Sequence, residues 1–176
     1  KAIRTLEGHA NNVLCLAFSH DGQWLASGGF DKTVRLWNVK TGELAATLQG
    51  HTGSVNAVAF RPIQGKDEEP MLSSASSDKT IRVWNLAKRE EEFKLEGTPG
   101  RVQALAYHPR GRRLVSLGQD RLIRLWDVVT RQEILDFEEH LGNLRAVAFS
   151  PDGRSLAAAG AGVVRIWQAA RETPGR

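Results

Sequence analysis

Three stretches of the chain spell one phrase: SGGFDKTVRLWN (27–38), SASSDKTIRVWN (74–85) and SLGQDRLIRLWD (116–127), each with Asp six residues before Trp. A degraded fourth copy, AAAGAGVVRIWQ, occupies 157–168. Trp37, Trp84, Trp126 and Trp167 follow one another at intervals of 47, 42 and 41 residues, and Trp24 lies off that grid. A period of about 42 residues belongs to repeat architectures. The longer first interval holds IQGKDEEP (63–70), a polar, acidic, Pro-ended insert that reads as a surface loop.

Each unit reads as four short strands joined by turns. In the second unit the strands fall at SVNAVAF (54–60), MLSSAS (71–76), KTIRVWNL (79–86) and EEFKLEG (91–97). The first of these alternates: Val55, Ala57 and Ala59 are expected on one side, and Asn56, Val58 and Phe60 on the other. The connectors SHDG (19–22), KTGE (40–43), HPRG (108–111) and SPDG (150–153) carry Gly where a turn needs positive φ. No helical periodicity of useful length appears, so the chain is expected to be all-β. The innermost strand of each unit keeps a small residue at one position: Cys15, Ala57, Ala104 and Ala146. Strands converging on a common axis need small side chains there, which favours radial blades over a flat sandwich.

The 176 residues are 41% hydrophobic and 25% charged, a globular balance with no apolar run long enough to span a bilayer. The chain opens KAIRTLEGHANN, with neither an initiator Met nor a signal-peptide core, and reads as trimmed or as one piece of a longer chain. The lone Cys15 fits a reducing, cytoplasmic setting and, within an apolar run, a buried side chain rather than a nucleophile. The net charge of +4 is uneven. Residues 1–96 balance twelve basic against twelve acidic residues, whereas 97–176 hold twelve Arg and no Lys against eight acidic residues. That bias admits an acidic or nucleic-acid partner. Basic runs no longer than two, without interleaved aromatics, disfavour the nucleic acid.

The stretch GHANNVLCLAFSHDGQWLASGGFDKTVRLWN (8–38) resembles a WD repeat: Gly-His near the start, Trp-Asn at the end, about 40 residues between repeats. The resemblance extends over essentially the whole chain, in units of about 1–42, 43–89, 90–131 and 132–171 within one propeller region, 1–176. It implies a β-propeller of four-stranded antiparallel blades. It also implies a structural tetrad of His, Ser or Thr, Asp and Trp in each blade. The matching residues are His9, Ser27, Asp31 and Trp37, then His51, Ser74, Asp78 and Trp84. The third unit keeps Ser116, Asp120 and Trp126, with Thr98 in place of His. The fourth keeps His140 and Trp167, with Ala157 and Ala161 expected in place of Ser and Asp.

A buried indole N–H needs an acceptor, a hydroxyl supplies it, and a His can link that hydroxyl to the Asp at the turn. On this account the phrase repeats because each blade needs the same internal lock. A hydrolase triad is the rival use of Ser, His and Asp, but no G-x-S-x-G elbow is present. One Cys and five dispersed His without an H-x-x-x-H spacing give no metal set, and GAGVVR (160–165) fails the third Gly of a dinucleotide loop. No cofactor, metal or catalytic residue is expected. Arg35, Arg82, Arg124 and Arg165, each two residues before a grid Trp, read as scaffold along the blade edge.

The first strand, AIRTLEG (2–8), resembles ELAATLQG (43–50), so residues 2–6 would complete the last blade if the ends met. Three closures are open: part of a longer propeller, two copies joined as an eight-bladed homodimer, or four blades alone at about 90° to one another. The family resemblance implies a non-catalytic scaffold for a protein or peptide partner, with no membrane. The implied binding surface is the face with the Asp turns and Gly-His loops. Residues there that differ between units are the partner-binding candidates: Asn12, Phe30, Asn56, Ser77, Arg101, Gln103, Gln119, Arg121 and Arg145. Two other functions stay open, a structural or sensory module of a larger signalling chain and nucleic-acid binding through the Arg-rich second half.

Overall fold

Alternating apolar and polar residues between Gly-containing turns give strands here and no helix among the described residues, 2–65, 68–138 and 144–168 of a computed structural model. The strands form antiparallel sheets that follow the repeat. Blade one is β1 (Val13–Phe18), β2 (Trp24–Gly29), β3 (Val34–Asn38) and β4 (Leu44–Leu48). Blade two is β5 (Val55–Phe60), β6 (Met71–Ser76), β7 (Ile81–Asn85) and β8 (Glu90–Leu95). Blade three is β9 (Val102–Tyr107), β10 (Arg113–Gly118), β11 (Leu122–Asp127) and β12 (Gln132–Glu138). Blade four has three described strands, β13 (Leu144–Phe149), β14 (Ser155–Gly160) and β15 (Val163–Gln168). The first strand of each blade packs on the first strand of the next, β1 on β5, β5 on β9 and β9 on β13, so the sheets radiate as a four-bladed β-propeller.

Turn chemistry sets the hairpins. The turns after β1, β9 and β13 place Gly22, Gly111 and Gly153 at φ of 68°, 71° and 72°, and each Gly N–H donates to the carbonyl three residues earlier. One expectation fails at the start of the innermost strands. A bulge between Val55 and Ala57 breaks the alternation. Val55 therefore joins Val58 and Phe60 on the side facing blade one, while Ala57 and Ala59 pack toward blade three. The same irregularity recurs at Val13/Cys15 and Leu144/Ala146. Cys15, Ala57 and Ala104 all lie where one blade meets the next. Ala146, on the last blade, is exposed.

The core consists of three inter-blade layers. Ala26 and Leu36 meet Val58, Phe60, Leu72 and Trp84 between blades one and two. Between blades two and three the Ser73 and Tyr107 hydroxyls share a buried 2.6 Å hydrogen bond. Among the described residues the outer sides of the end blades have no such partner. Phe18 and Leu16, each 62% exposed, occupy the positions of Phe60 (9%) and Val58 (8%). On blade four Val164 is 67% exposed where Val34 in blade one is 0%. Residues 2–8 form no strand; Arg4 hydrogen-bonds the Thr41 and Lys40 carbonyls, and Gly8 lies against Arg35 as Gly50 lies against Arg82. The segment runs along blade one as β4 runs along blade two, but unlike β4 it pairs with no strand among the described residues and so does not complete blade four.

Candidate functional site

The residues of the repeated phrase meet at one end of each blade. In blade one the Trp37 indole N–H donates to Ser27 Oγ at 2.8 Å, Ser27 Oγ lies 2.7 Å from His9 Nε2, and His9 Nδ1 lies 2.7 Å from Asp31 Oδ2. Blade two repeats this with Trp84, Ser74, His51 and Asp78 at 2.8, 2.8 and 2.7 Å. An indole can only donate and a carboxylate only accept, so the chain has one direction: Trp N–H to Ser, Ser O–H to His Nε2, His Nδ1–H to Asp. The second carboxylate oxygen closes the turn by accepting from the Thr33 or Thr80 amide and hydroxyl. Lys32 and Lys79 sit at φ of 66° and 72° within those turns.

Burial would raise the Asp78 carboxyl, but hydrogen bonds from Thr80, His51 and the Thr52 amide outweigh it and hold the pKa at about 2. The Asp31 carboxyl is lowered by the same balance. Burial pushes the His51 imidazole below its ordinary value against the pull of Asp78, so the ring is neutral in the network. The Ser27 and Ser74 hydroxyls are held by Trp and His in residues 3% and 0% exposed. Neither is presented to solvent as a nucleophile.

Blades three and four depart from this pattern. Ser116 still accepts from Trp126 at 2.8 Å, but Thr98 turns away and hydrogen-bonds the Lys79 carbonyl of the neighbouring blade. Arg124 takes over the charge pairing: its Nη2 lies 2.6 Å from Asp120 Oδ2 and its Nε 3.5 Å from Glu133. The equivalent Arg82 pairs with Glu91 instead.

In blade four the expected Ser position moves by one residue. Ala158, not Ala157, stands opposite Arg165, as Ser27 stands opposite Arg35 and Ser74 opposite Arg82. The cause is a turn one residue shorter. Gly160 pairs with Val163, and Ala161 and Gly162 between them take φ of 49° and 80°, the geometry of a two-residue hairpin. Counting back from Trp167 could not detect that deletion; counting forward from SPDG (150–153) does. His140 lies outside the described residues.

The partner-binding candidates gather at the same end of the blades. The Phe30 amide donates to the Asn12 carbonyl at 2.9 Å, and Phe30 is 48% exposed at its turn tip. The Gln119 amide donates to the Arg101 carbonyl at 2.9 Å, placing Arg101, Gln119 and Arg121 together on exposed loops of blade three. Asn56 and Ser77 also meet, but Asn56 Nδ2 donates to Ser77 Oγ at 3.1 Å and to the Val102 carbonyl at 2.8 Å. That pair ties blade two to blade three and has little left to offer a ligand. Gln103 is half-buried, and Arg145 is exposed on blade four. The exposed candidate side chains are therefore Asn12, Phe30, Arg101, Gln119, Arg121 and Arg145.

Comparison with known proteins agrees with this geometry. Residues 1–38, 42–85, 89–127 and 131–168 each match the WD domain, G-beta repeat family (WD40). Over 65 residues the chain is 43% identical to transcriptional repressor rco-1 of Neurospora crassa, a match covering 37% of this chain and 11% of that protein. Over 62 residues it is 47% identical to human cilia- and flagella-associated protein 52, covering 32% of this chain and 10% of that protein. Over 50 residues it is 48% identical to the Notchless protein homolog of Arabidopsis thaliana, covering 28% and 11%. The matches span about a tenth of the length of these relatives. Four matched repeats, each ending at the residue after its grid Trp, and a radial array of antiparallel blades make one conclusion plain: the chain belongs to the WD40 repeat family.

Proposed function

We propose that the chain is a non-catalytic, cytoplasmic scaffold that binds a protein or peptide partner on the face formed by the Asp turns. The observation that carries this is a division of labour on that face. The residues that recur are consumed in the internal lock, while Phe30, Arg101, Gln119 and Arg121 differ between blades and stand exposed around it. Exposed aromatic and Arg side chains on a rigid frame are the usual anchors of protein interfaces. Selection from a displayed peptide library tests the reading. Binders should converge on one sequence pattern and lose at least tenfold in affinity to Arg101→Ala with Arg121→Ala, or to Phe30→Ala. Failure to enrich any peptide, or binders indifferent to all of these substitutions, would overturn it.

A second reading concerns assembly and rests on the bare outer sides of blades one and four. Phe18, Leu16, Val164 and Ile166 are 62–67% exposed at positions equivalent to core residues. Such surfaces are mating faces for further blades, and two copies of the chain closing into an eight-bladed ring would cover both. Light scattering over a range of concentrations decides it. A discrete mass of twice 19.4 kDa supports the closed pair, and a stable monomer rejects it.

A further inference from the structure

The Arg excess of the second half has a location. At the end of the blades opposite the Asp turns, the turn after β9 and the turn after β13 face each other across a groove of about 480 Å³ lined by Arg110, Arg112, Arg113 and Arg154. Arg112 donates to Asp127 at 2.7 Å. Asp152, which lines the groove, accepts from Ser150 Oγ and the Arg154 amide within its own turn. Among the described residues Arg110, Arg113 and Arg154 have no salt-bridge partner, and all three are exposed. His108 fixes the floor. Its Nε2 donates to the Gly153 carbonyl at 3.2 Å, its Nδ1 accepts from the Arg110 amide at 3.1 Å, and its ring meets Phe149 edge-on at 5.2 Å. The two turns are therefore bridged, and the arginines project from a fixed frame.

The basic groove opens into an apolar chamber of about 490 Å³ between blades three and four, lined by Val115, Leu125, Leu135, Phe149, Leu156 and Trp167. His108, Arg113, Gly153 and Arg154 line both spaces, so the two are one continuous site. Its volume is in the range of ligand-binding clefts.

The other inter-blade grooves at this end differ. Between blades two and three Arg61 Nε donates to the Gly111 carbonyl and Gln64 Nε2 to the Pro109 carbonyl, closing the space with the insert. Between blades one and two a smaller groove of about 350 Å³ carries His20, Asp21 and Arg61, with no cluster of arginines. A feature that recurs in every blade is scaffold. Among these grooves of the described residues, the combination belongs to the one between blades three and four.

We propose that the groove between blades three and four binds an extended acidic peptide segment bearing one large apolar side chain. The apolar residue enters the chamber against Phe149 and Trp167, and carboxylates on either side of it reach Arg110, Arg113 and Arg154. Guanidinium groups suit this because their planar forks take carboxylates bidentately, which the Lys-free composition of this half accords with. Charge complementarity selects this occupant, and the chain's own residues 2–8 lie elsewhere, against blade one, where Arg4 hydrogen-bonds the Thr41 and Lys40 carbonyls. The proposal deepens the protein-binding reading but uses the opposite end of the blades, so each can fail alone.

The test is fluorescence anisotropy with a fluorescein-labelled heptapeptide, Glu-Asp-Glu-Phe-Asp-Glu-Glu. The control peptide has Ser in place of Phe, and the competitor is a single-stranded oligonucleotide of similar charge. Arg110→Glu with Arg154→Glu reverses two exposed charges without removing an internal partner, and circular dichroism verifies the fold. Leu135→Ser trims the chamber at a residue 52% exposed. The expected result is saturable binding weakened at least tenfold by the double reversal, at least fivefold by loss of the Phe, and about threefold by Leu135→Ser. Binding untouched by the double reversal overturns the proposal. Equal binding of the Phe-free peptide overturns it too, leaving only a charge patch, as does preferential displacement by the oligonucleotide, which would make the groove a nucleic-acid site. Arg101→Ala with Arg121→Ala should leave this binding unchanged, so a negative result here does not decide the peptide selection on the Asp-turn face.

Discussion

Arg124 Nη2 lies 2.6 Å from Asp120 Oδ2, the carboxylate whose counterparts in blades one and two are held by histidine. The Arg124 side chain is 4% exposed and that of Asp120 15%, so the pair is largely out of water. Removing one member of a buried pair leaves the other charge uncompensated, at a cost of about 3–5 kcal/mol. Arg124→Met is therefore expected to destabilise blade three by about that amount. Arg35→Met, which removes no carboxylate's partner, should cost markedly less. Urea titration of the two variants side by side measures the difference. Equal losses would mean that the guanidinium serves packing alone.

Ser74 holds two groups at once, the Trp84 indole at 2.8 Å and His51 Nε2 at 2.8 Å, in a residue with no exposed surface. Ser74→Ala is nearly neutral in volume and leaves both without a partner. Each buried unsatisfied polar group costs about 1–3 kcal/mol, so the loss should exceed that of a single hydrogen bond. Thermal melts should place Ser74→Ala below Ser116→Ala, because among the described residues Ser116 serves only Trp126. The reverse order would mean that the His link contributes nothing.

The difference between these serines marks how far the sequence could be read. The four-strand unit and the radial arrangement follow from short-range spacing, Gly at each tight turn and a small residue on each inner strand, whereas the residues of the lock come with the resemblance to the WD repeat. Three features were not read from that spacing. The bulge at Val55/Ala57 moves Val55 to the opposite side from the one its alternation implies. The shortened hairpin at Ala161 and Gly162 transfers the Ser position from Ala157 to Ala158. Thr98 marks the loss of a His, but only the packed blade reveals that Arg124 replaces it. The groove between blades three and four was visible as an Arg excess without a place. Its members come from two turns some 40 residues apart in the chain, and only blade stacking brings them together.

The lock also sets an acid limit. Asp78 titrates near 3.8 in the unfolded chain and at about 2 in the fold. Above about pH 5 both states are ionised and the full contribution, on the order of 2 kcal/mol, is present. As the pH falls through the interval from about 5 to 2, the unfolded state takes up the proton first and that contribution is lost. His51, whose pKa is lowered by burial, acts in the same direction from its unfolded value near 6.5 downward, since the unfolded ring protonates before the folded one. Stability measured by denaturant at pH 7, 5 and 3 should fall throughout, most steeply below 4. Asp78→Asn should be less stable at pH 7 and should lose less between pH 5 and 3. A variant as acid-sensitive as the parent would show that other carboxylates govern the limit.

Cys15 offers a probe of the seam between blades one and two. Its Sγ lies 3.6 Å from the Gly28 carbonyl and 3.7 Å from the Val55 carbonyl, and burial pushes the thiol pKa up to about 12. At pH 8 roughly one thiol in ten thousand would then be ionised, and a thiol reagent should react slowly until the seam opens. Gly28 makes the close approach possible: a Cβ there would lie 2.5 Å from Val55 Cγ1 and 2.9 Å from Cys15 Sγ. Gly28→Ala must therefore push β2 away from β5, at a cost of about 1–3 kcal/mol for overpacking. Labelling should accelerate at least tenfold in that variant and reach the rate of a free thiol in denaturant. Fast labelling of the parent chain at pH 8 would mean that the two blades separate readily in solution, and the seam would then be a hinge rather than a fixed layer of the core.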